Sequence, residues 1–241
     1  MRRTAALLTT FMLLFSVLTV SVPLQAQTSD PAARLCADLT ASTVSISIAG
    51  DSILTSAGAS SFDRGAMEML KTYGTAHGWT VWTDGARSGS YASHFAPGGQ
   101  YASVIETIKT QRPTLFTMDW RVNEQWNAIT PAAMRTAYLA IIDNVRSVSP
   151  TTSVLIINPW KMALDDNGGI DNYTAYKQAD YRAAMWDVKV QRNTLWLDMS
   201  PFFPTGGTLA HTLLPDGIHG SDASHIALAT AVLTTLLTAC E

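Results

Sequence analysis

Residues 44–53 read VSISIAGDSI. The run is short, apolar and rich in β-branched residues, as a buried strand should be. It ends in Gly50-Asp51-Ser52, which puts a serine just past the end of a strand. Working outward, four further runs of this kind occupy residues 80–83, 114–119, 153–158 and 194–198. Stretches with helical spacing lie between and after them. Ala66, Met69, Leu70 and Tyr73 share one face of the first. Helices are predicted over 101–111, closed by Pro113, and over 131–147, opened by Thr130 as N-cap and Pro131 at the first helical position. Two more are predicted over 173–190 and 223–239. Strand–helix alternation implies parallel pairing and a three-layer α/β/α sandwich. In such sheets the working residues gather at the carboxyl ends of the strands.

The chain has 241 residues, 47% hydrophobic and 15% charged, with a formal net charge of −3. This is a globular balance for one domain, and the lack of a basic block argues against a nucleic-acid partner. Residues 1–26 read differently from the rest. Arg2 and Arg3 precede an apolar stretch over 5–22, Pro23 breaks it, and Ala26 supplies a small residue for cleavage. This fits a signal peptide leading to a secreted or periplasmic protein, with residues 27–241 as a single domain and no stable membrane insertion after cleavage. The rival is an uncleaved N-terminal anchor. Cys36 and Cys240 flank the mature chain, and export permits a disulfide tying its ends; two free buried thiols are the alternative.

The predicted chemistry centres on Ser52 and on Asp216-Gly217-Ile218-His219. A nucleophilic serine needs a base, and the base needs a group that fixes its tautomer. His219 would take the Ser52 proton, and Asp216, three residues earlier on a turn, would hold the other ring nitrogen. Asp216, His219, Asp222 and His225 recur every three residues, which raises a divalent-metal site as a rival. Pro215 and Gly217 place the first pair on a turn instead, so no metal is expected, and His225 is expected to pack or bond structurally.

Together these segments resemble the SGNH (GDSL-like) hydrolases. Gly50-Asp51-Ser52-Ile53 resembles the first block of that family, and Asp216-Gly217-Ile218-His219 with Ser221 and His225 resembles the last. Between them, 84–89 (DGARSG) looks like the second block and 121–124 (RVNE) like the third. The resemblance implies a flavodoxin-like five-stranded parallel sheet in the order 2-1-3-4-5. It also implies ester hydrolysis through an acyl-serine without a cofactor, and an oxyanion hole of Ser52, Gly89 and Asn123. Three positions depart from the pattern. Arg121 stands where the third block has glycine, Asp84 where the second often has asparagine, and Gly220 where proline usually follows the histidine. Arg121 is expected either to contact an anionic or polyhydroxyl substrate or to fold outward into solvent.

Substrate choice is less marked. Trp120, Trp126 and Trp160 lie at or beyond strand ends, with Tyr91 in the second-block loop, and Arg121, Trp120, Trp160 and Tyr91 are the pocket candidates. Aromatic faces suit sugar rings and acyl chains alike. A short chain without a long amphipathic insertion leans towards short acyl esters, such as acetyl groups on a small molecule or carbohydrate. A lysophospholipase- or thioesterase-like hydrolase is the alternative, ahead of a non-catalytic binding protein or a metal-dependent hydrolase.

Overall fold

The computed structural model describes residues 30–163, 169–203 and 207–241, so the proposed signal segment lies outside the described residues. Five parallel strands form one sheet in the order β2-β1-β3-β4-β5. They are β1 (Ser45–Gly50), β2 (Thr80–Ala86), β3 (Leu115–Asp119), β4 (Ser153–Asn158) and β5 (Leu195–Asp198). The helices are α1 (Pro31–Thr40), α2 (Ala66–Ala76), α3 (Ala92–Phe95), α4 (Ala102–Gln111), α5 (Val122–Trp126), α6 (Pro131–Arg146), α7 (Gln178–Arg192), α8 (Gly207–Leu213) and α9 (Asp222–Thr238).

The central strands are buried on both faces, so their side chains sort by period two into two cores. Leu155 and Ile157 of β4 join Leu35 of α1, Leu70 of α2 and Val232 of α9 in one core. Val154 and Ile156 join Ile105 of α4, Ile141 of α6 and Val188 of α7 in the other. Truncating one of these fully buried aliphatics to alanine costs about 2–5 kcal/mol. The predicted start of α6 is present, with Thr130 Oγ1 accepting from Ala133 N at 3.1 Å. The predicted helix over 173–190 begins later, at Gln178, where Asp180 Oδ2 accepts from Lys177 N at 2.8 Å and fixes the entry. Cys36 and Cys240 are disulfide-bonded, joining α1 to the end of α9 across a sequence separation of 204. Among the described residues no helix is long and apolar enough to cross a membrane.

Candidate active site

β1 delivers Ser52 beyond its carboxyl end, and the turn holding it is fastened locally. Asp51 Oδ1 accepts from Ile53 N at 2.9 Å, and the Ser52 carbonyl accepts from Thr55 N and Ala57 N, each at 3.2 Å. The 216–219 turn arrives from the other side. Asp216 Oδ1 accepts from the backbone N–H of Ile218 (2.9 Å) and of His219 (2.7 Å), the pattern of an aspartate that builds its own turn. This leaves Asp216 Oδ2 to meet His219 Nδ1 at 2.6 Å, while His219 Nε2 meets Ser52 Oγ at 2.9 Å. Burial pushes the Asp216 carboxyl up, but the hydrogen bonds from His219 and Ile218 outweigh it and hold it below the usual carboxylate value. A carboxylate there requires the Nδ1–H tautomer, so Nε2 carries the lone pair that faces the serine.

The second-block loop folds against the same strand end. Arg87 N donates to the Gly50 carbonyl at 2.8 Å, and Ser90 Oγ donates to it at 3.2 Å. Ser90 N closes a turn onto the Arg87 carbonyl at 3.2 Å, with Gly89 at φ +71°. Positive φ at the third position of such a turn selects glycine. A Cβ there would meet nothing within 4 Å, so conformation and not space demands the residue. Asn123, near the start of α5, donates from Nδ2 to the Ser90 carbonyl at 3.1 Å and lies 3.4 Å from Asp51 Oδ2. Ser52, Gly89 and Asn123 therefore belong to one connected loop system at the carboxyl ends of β1, β2 and β3.

The pocket candidates fare differently. Trp120, Trp160 and Arg121 are fully buried, which corrects their assignment as pocket-lining residues. The Trp120 ring packs against Phe95 and Tyr138, and its Nε1 donates to Ser90 Oγ at 3.3 Å, so it supports the second-block loop from within. Arg121 neither reaches substrate nor folds outward. Its guanidinium turns inward, donating to Gln125 Oε1 (2.9 Å) and to the carbonyls of Trp160 (2.5 Å) and Pro159 (3.3 Å). Backbone acceptors left free after β4 make that buried position tolerable for a cation. Tyr91 stays partly exposed beside His94, with ring centroids 4.6 Å apart. Trp126 is 56% exposed, three residues after Asn123 on α5.

A buried ionisable cluster lies beneath this surface and is not evident from the sequence. Burial lifts the Asp51 carboxyl to about 6, against the Ile53 N–H and the charges of Arg121 and His219. Burial lifts Glu124 to about 8, although Glu124 Oε1 accepts from Ala92 N at 2.7 Å. Asp119 is pushed well above the usual carboxylate range by burial and by Asp51. Glu124 is thus mainly protonated at neutral pH, while the Arg121 guanidinium draws Asp51 and Asp119 back towards ionisation against burial. Burial and mutual repulsion together limit the negative charge that builds up beneath Ser52.

The three-residue repeat does not converge on one point. Asp222 binds Ser60 and Arg64 (Oδ2 to Arg64 Nη1 2.9 Å), tying the loop after Ser52 to the start of α9. His225 accepts from Ala66 N at 3.2 Å through Nδ1 and donates to the Ala57 carbonyl at 3.0 Å through Nε2. Burial lowers its pKa, and both bonds suit a neutral ring fastening the floor of the Ser52 loop. Among the described residues, no group of three or more His, Cys, Asp or Glu side chains is arranged to hold a metal ion.

The sequence profile of the GDSL-like Lipase/Acylhydrolase family matches residues 48–226, well over half the chain. The chain belongs to that family and is, by class, a carboxylic ester hydrolase. No curated protein sequence matches it. Similar solved structures include TesA, at 18% identity and TM-score 0.61 over 81% of this chain and 99% of that one. The psychrotrophic esterase EstA from Pseudoalteromonas sp., inhibited by monoethylphosphonate, aligns at 12% identity and TM-score 0.63 over 80% and 97%. A mutant of Axe2, an acetyl-xylooligosaccharide esterase from Geobacillus Stearmophilus, aligns at 15% identity and TM-score 0.60 over 80% and 94%. At these identities the likeness is one of fold.

Proposed function

We propose that the protein is an exported serine esterase that removes short acyl groups, acetyl foremost, from small or carbohydrate esters. The hydrogen-bonded series Ser52 Oγ, His219 Nε2 and His219 Nδ1, Asp216 Oδ2 carries this reading, at 2.9 and 2.6 Å. Ser52 Oγ bonds to the ester carbonyl carbon as its proton passes to His219 Nε2. The oxyanion is met by the N–H groups of Ser52 and Gly89 and by the Asn123 amide, whose 3.4 Å approach to Asp51 is weak enough to give up. The carbon–oxygen bond to the alcohol then breaks, and His219 returns the proton to the departing alkoxide. Water repeats the sequence on the acyl-serine, releasing the acid and restoring Ser52.

Support for short acyl groups on sugars is of two kinds. Trp126 is an exposed aromatic one helical turn from Asn123, a face on which a sugar ring can stack. Neighbours of the same fold include the acetyl-xylooligosaccharide esterase and an esterase active on acetylated mannans. Export is supported by Arg2 and Arg3 ahead of the apolar 5–22 stretch and by a disulfide, which persists in oxidising compartments.

The test is hydrolysis of p-nitrophenyl acetate, butyrate, octanoate and palmitate and of an acetylated xylo-oligosaccharide by wild type and Ser52→Ala, with and without a chelator. The expected activity depends on Ser52, ignores the chelator and falls with chain length. A preference for palmitate would replace the acetyl-esterase reading with a lipolytic one, and activity in Ser52→Ala would remove the mechanism.

A further inference from the structure

The two departures at positions 121 and 220 meet on one residue, Trp160. Arg121, where the family pattern has glycine, binds the Trp160 carbonyl at 2.5 Å. At Gly220, where the pattern has proline, a Cβ would stand 2.8 Å from Trp160 Cη2 and 2.9 Å from Cζ2. The indole occupies the space that any side chain at 220 would need. From that seat Trp160 Nε1 donates to the Ile218 carbonyl at 2.7 Å, in the residue before His219. A second bond, Ala163 N to the Gly217 carbonyl at 2.8 Å, joins the same two segments. The ring is held on its far side by Phe203 (4.9 Å between centroids) and edge-on by His225 (6.1 Å).

The other end of this chain of contacts is α5. Arg121 stands immediately before it, and its guanidinium also binds Gln125 Oε1 one turn further on at 2.9 Å. Asn123 lies between those two residues. The path Asn123 helix, Arg121, Trp160, Ile218, His219 thus joins the oxyanion side of the cleft to the base side through buried groups with fixed partners. The 216–219 turn is otherwise held by Gly217 N on the Leu214 carbonyl at 2.9 Å and by Asp216, whose side chain is 56% exposed.

We propose that Trp160 is a positioning residue for His219, and that Arg121 and Trp160 together form a strut setting the distance between the oxyanion donors and the base. This rests on the serine-esterase reading of the site. The strut accounts for both departures at once: glycine at 220 makes room for an indole, and arginine at 121 anchors the backbone that carries it.

The experiment compares wild type, Trp160→Phe, Gly220→Ala and the double variant, with Ser52→Ala as control. The readouts are kcat and KM on p-nitrophenyl acetate, the rate of Ser52 phosphonylation by ethyl p-nitrophenyl methylphosphonate with release of p-nitrophenolate, and the downfield NMR resonance of the proton between His219 Nδ1 and Asp216. Displacement by about 1 Å can cost ~10²-fold, so each single variant is expected to lose ~10–100-fold in kcat with KM within about twofold. Phosphonylation should slow in parallel, and the downfield resonance should shift or broaden. Phenylalanine lacks the two ring atoms that crowd position 220, so the losses should not multiply in the double variant. A merely structural role would lower thermal stability while leaving kcat and the resonance in place.

A Trp160→Phe protein with kcat within twofold of wild type overturns the strut. So do losses that multiply in the double variant, which would assign the Gly220→Ala effect to its other neighbour, the Ser224 Cβ at 2.8 Å. Should Trp160→Phe fail to fold, Gly220→Ala decides alone: its backbone is not in the left-handed region, so alanine there strains packing and not the backbone, and an unchanged kcat refutes the proposal. If Ser52→Ala is active or wild type resists phosphonylation, the esterase mechanism itself has failed, an outcome distinct from loss of the strut alone.

Discussion

Ser52 Oγ and His219 Nε2 lie 2.9 Å apart across a sequence separation of 167. That closeness is made by the sheet order, which sets β1 in the interior of the sheet, and by the 216–219 turn that leads into α9. It predicts a steep dependence on each member. Ser52→Ala is expected to lose on the order of 10⁶ in kcat, with the far-UV spectrum and melting temperature close to wild type. Asp216→Asn is more informative. Its oxygen can keep the bonds from Ile218 and His219 N–H, but its amide would face His219 Nδ1 donor to donor. The ring would then adopt the Nε2–H tautomer, useless as a base towards Ser52, with an expected loss of ~10⁴ in kcat and little change in KM. Rates of the two variants under saturating acetate ester check this, and a near-wild-type Asp216→Asn would refute the role given to Asp216.

On the proposed mechanism, Asn123→Ala removes one oxyanion donor while leaving the serine and base in place. The expected loss is ~10²–10³ in kcat with KM nearly unchanged. The Ser90 carbonyl, bound by Asn123 Nδ2 at 3.1 Å, would lose that donor, so the variant should also loosen the second-block loop. Phosphonylation kinetics separate the effects: Asn123→Ala should remain labelled at Ser52, only more slowly.

How much of this was legible in the sequence follows from how local each interaction is. Buried strands betray themselves by short β-branched runs, and the Thr130-Pro131 start of α6 carries its own cap. Asp216 and His219 are three residues apart and readable for the same reason. Helices α3 and α5 have four and five residues, too few to show a period in the sequence. The sequence reading also lacks α1, whose N-cap Asp30 precedes Pro31, and α8. The inward turn of Arg121 could not be read from its neighbours, because beyond Gln125 its acceptors are carbonyls 38 and 39 residues away. Trp120 and Trp160 mislead similarly: a tryptophan after a strand end looks like a cleft wall until its N–H finds an acceptor inside. Gly220 in place of proline was a signal that something large sits nearby.

Glu124 gives a stability prediction with a definite sign. Its folded-state pKa is about 8 against an ordinary 4.5, raised by burial, so the folded protein binds a proton that the unfolded chain releases. Stability from this group is full below about pH 4.5 and declines as pH rises towards 8. Asp216 and Asp198 act oppositely. Burial raises each, but hydrogen bonds hold both below the ordinary value, so their contribution is lost in acid. Glu124→Gln keeps an acceptor for Ala92 N without a titrating proton. It should be near neutral at pH 5 and stabilising at pH 8.5 by on the order of a few kcal/mol, or several degrees in Tm. Thermal melts at the two pH values decide it, and a shift equal at both would mean that Glu124 does not titrate between them.

The Cys36–Cys240 bridge should act on stability and leave chemistry alone. It joins α1 to the end of α9, at the amino-end side of the sheet, whereas Ser52 and Asn123 follow the carboxyl ends of β1 and β3. Opening so long a loop restores conformational freedom to the unfolded chain, and removal of such a bridge typically costs 2–5 kcal/mol. α9 also carries the structural His225 at its amino end, and its buried Leu228, Val232 and Leu236 remain to hold it when the bridge is gone. Cys36→Ser/Cys240→Ser is therefore expected to melt roughly 5–15 °C lower while keeping kcat on p-nitrophenyl acetate within about twofold at 25 °C. Reduction of the wild type should reproduce the shift and have no effect on the double variant. Loss of activity in a variant that still melts cooperatively would show that the bridge reaches the site through α9, placing the helix register and not only its stability under control of the disulfide.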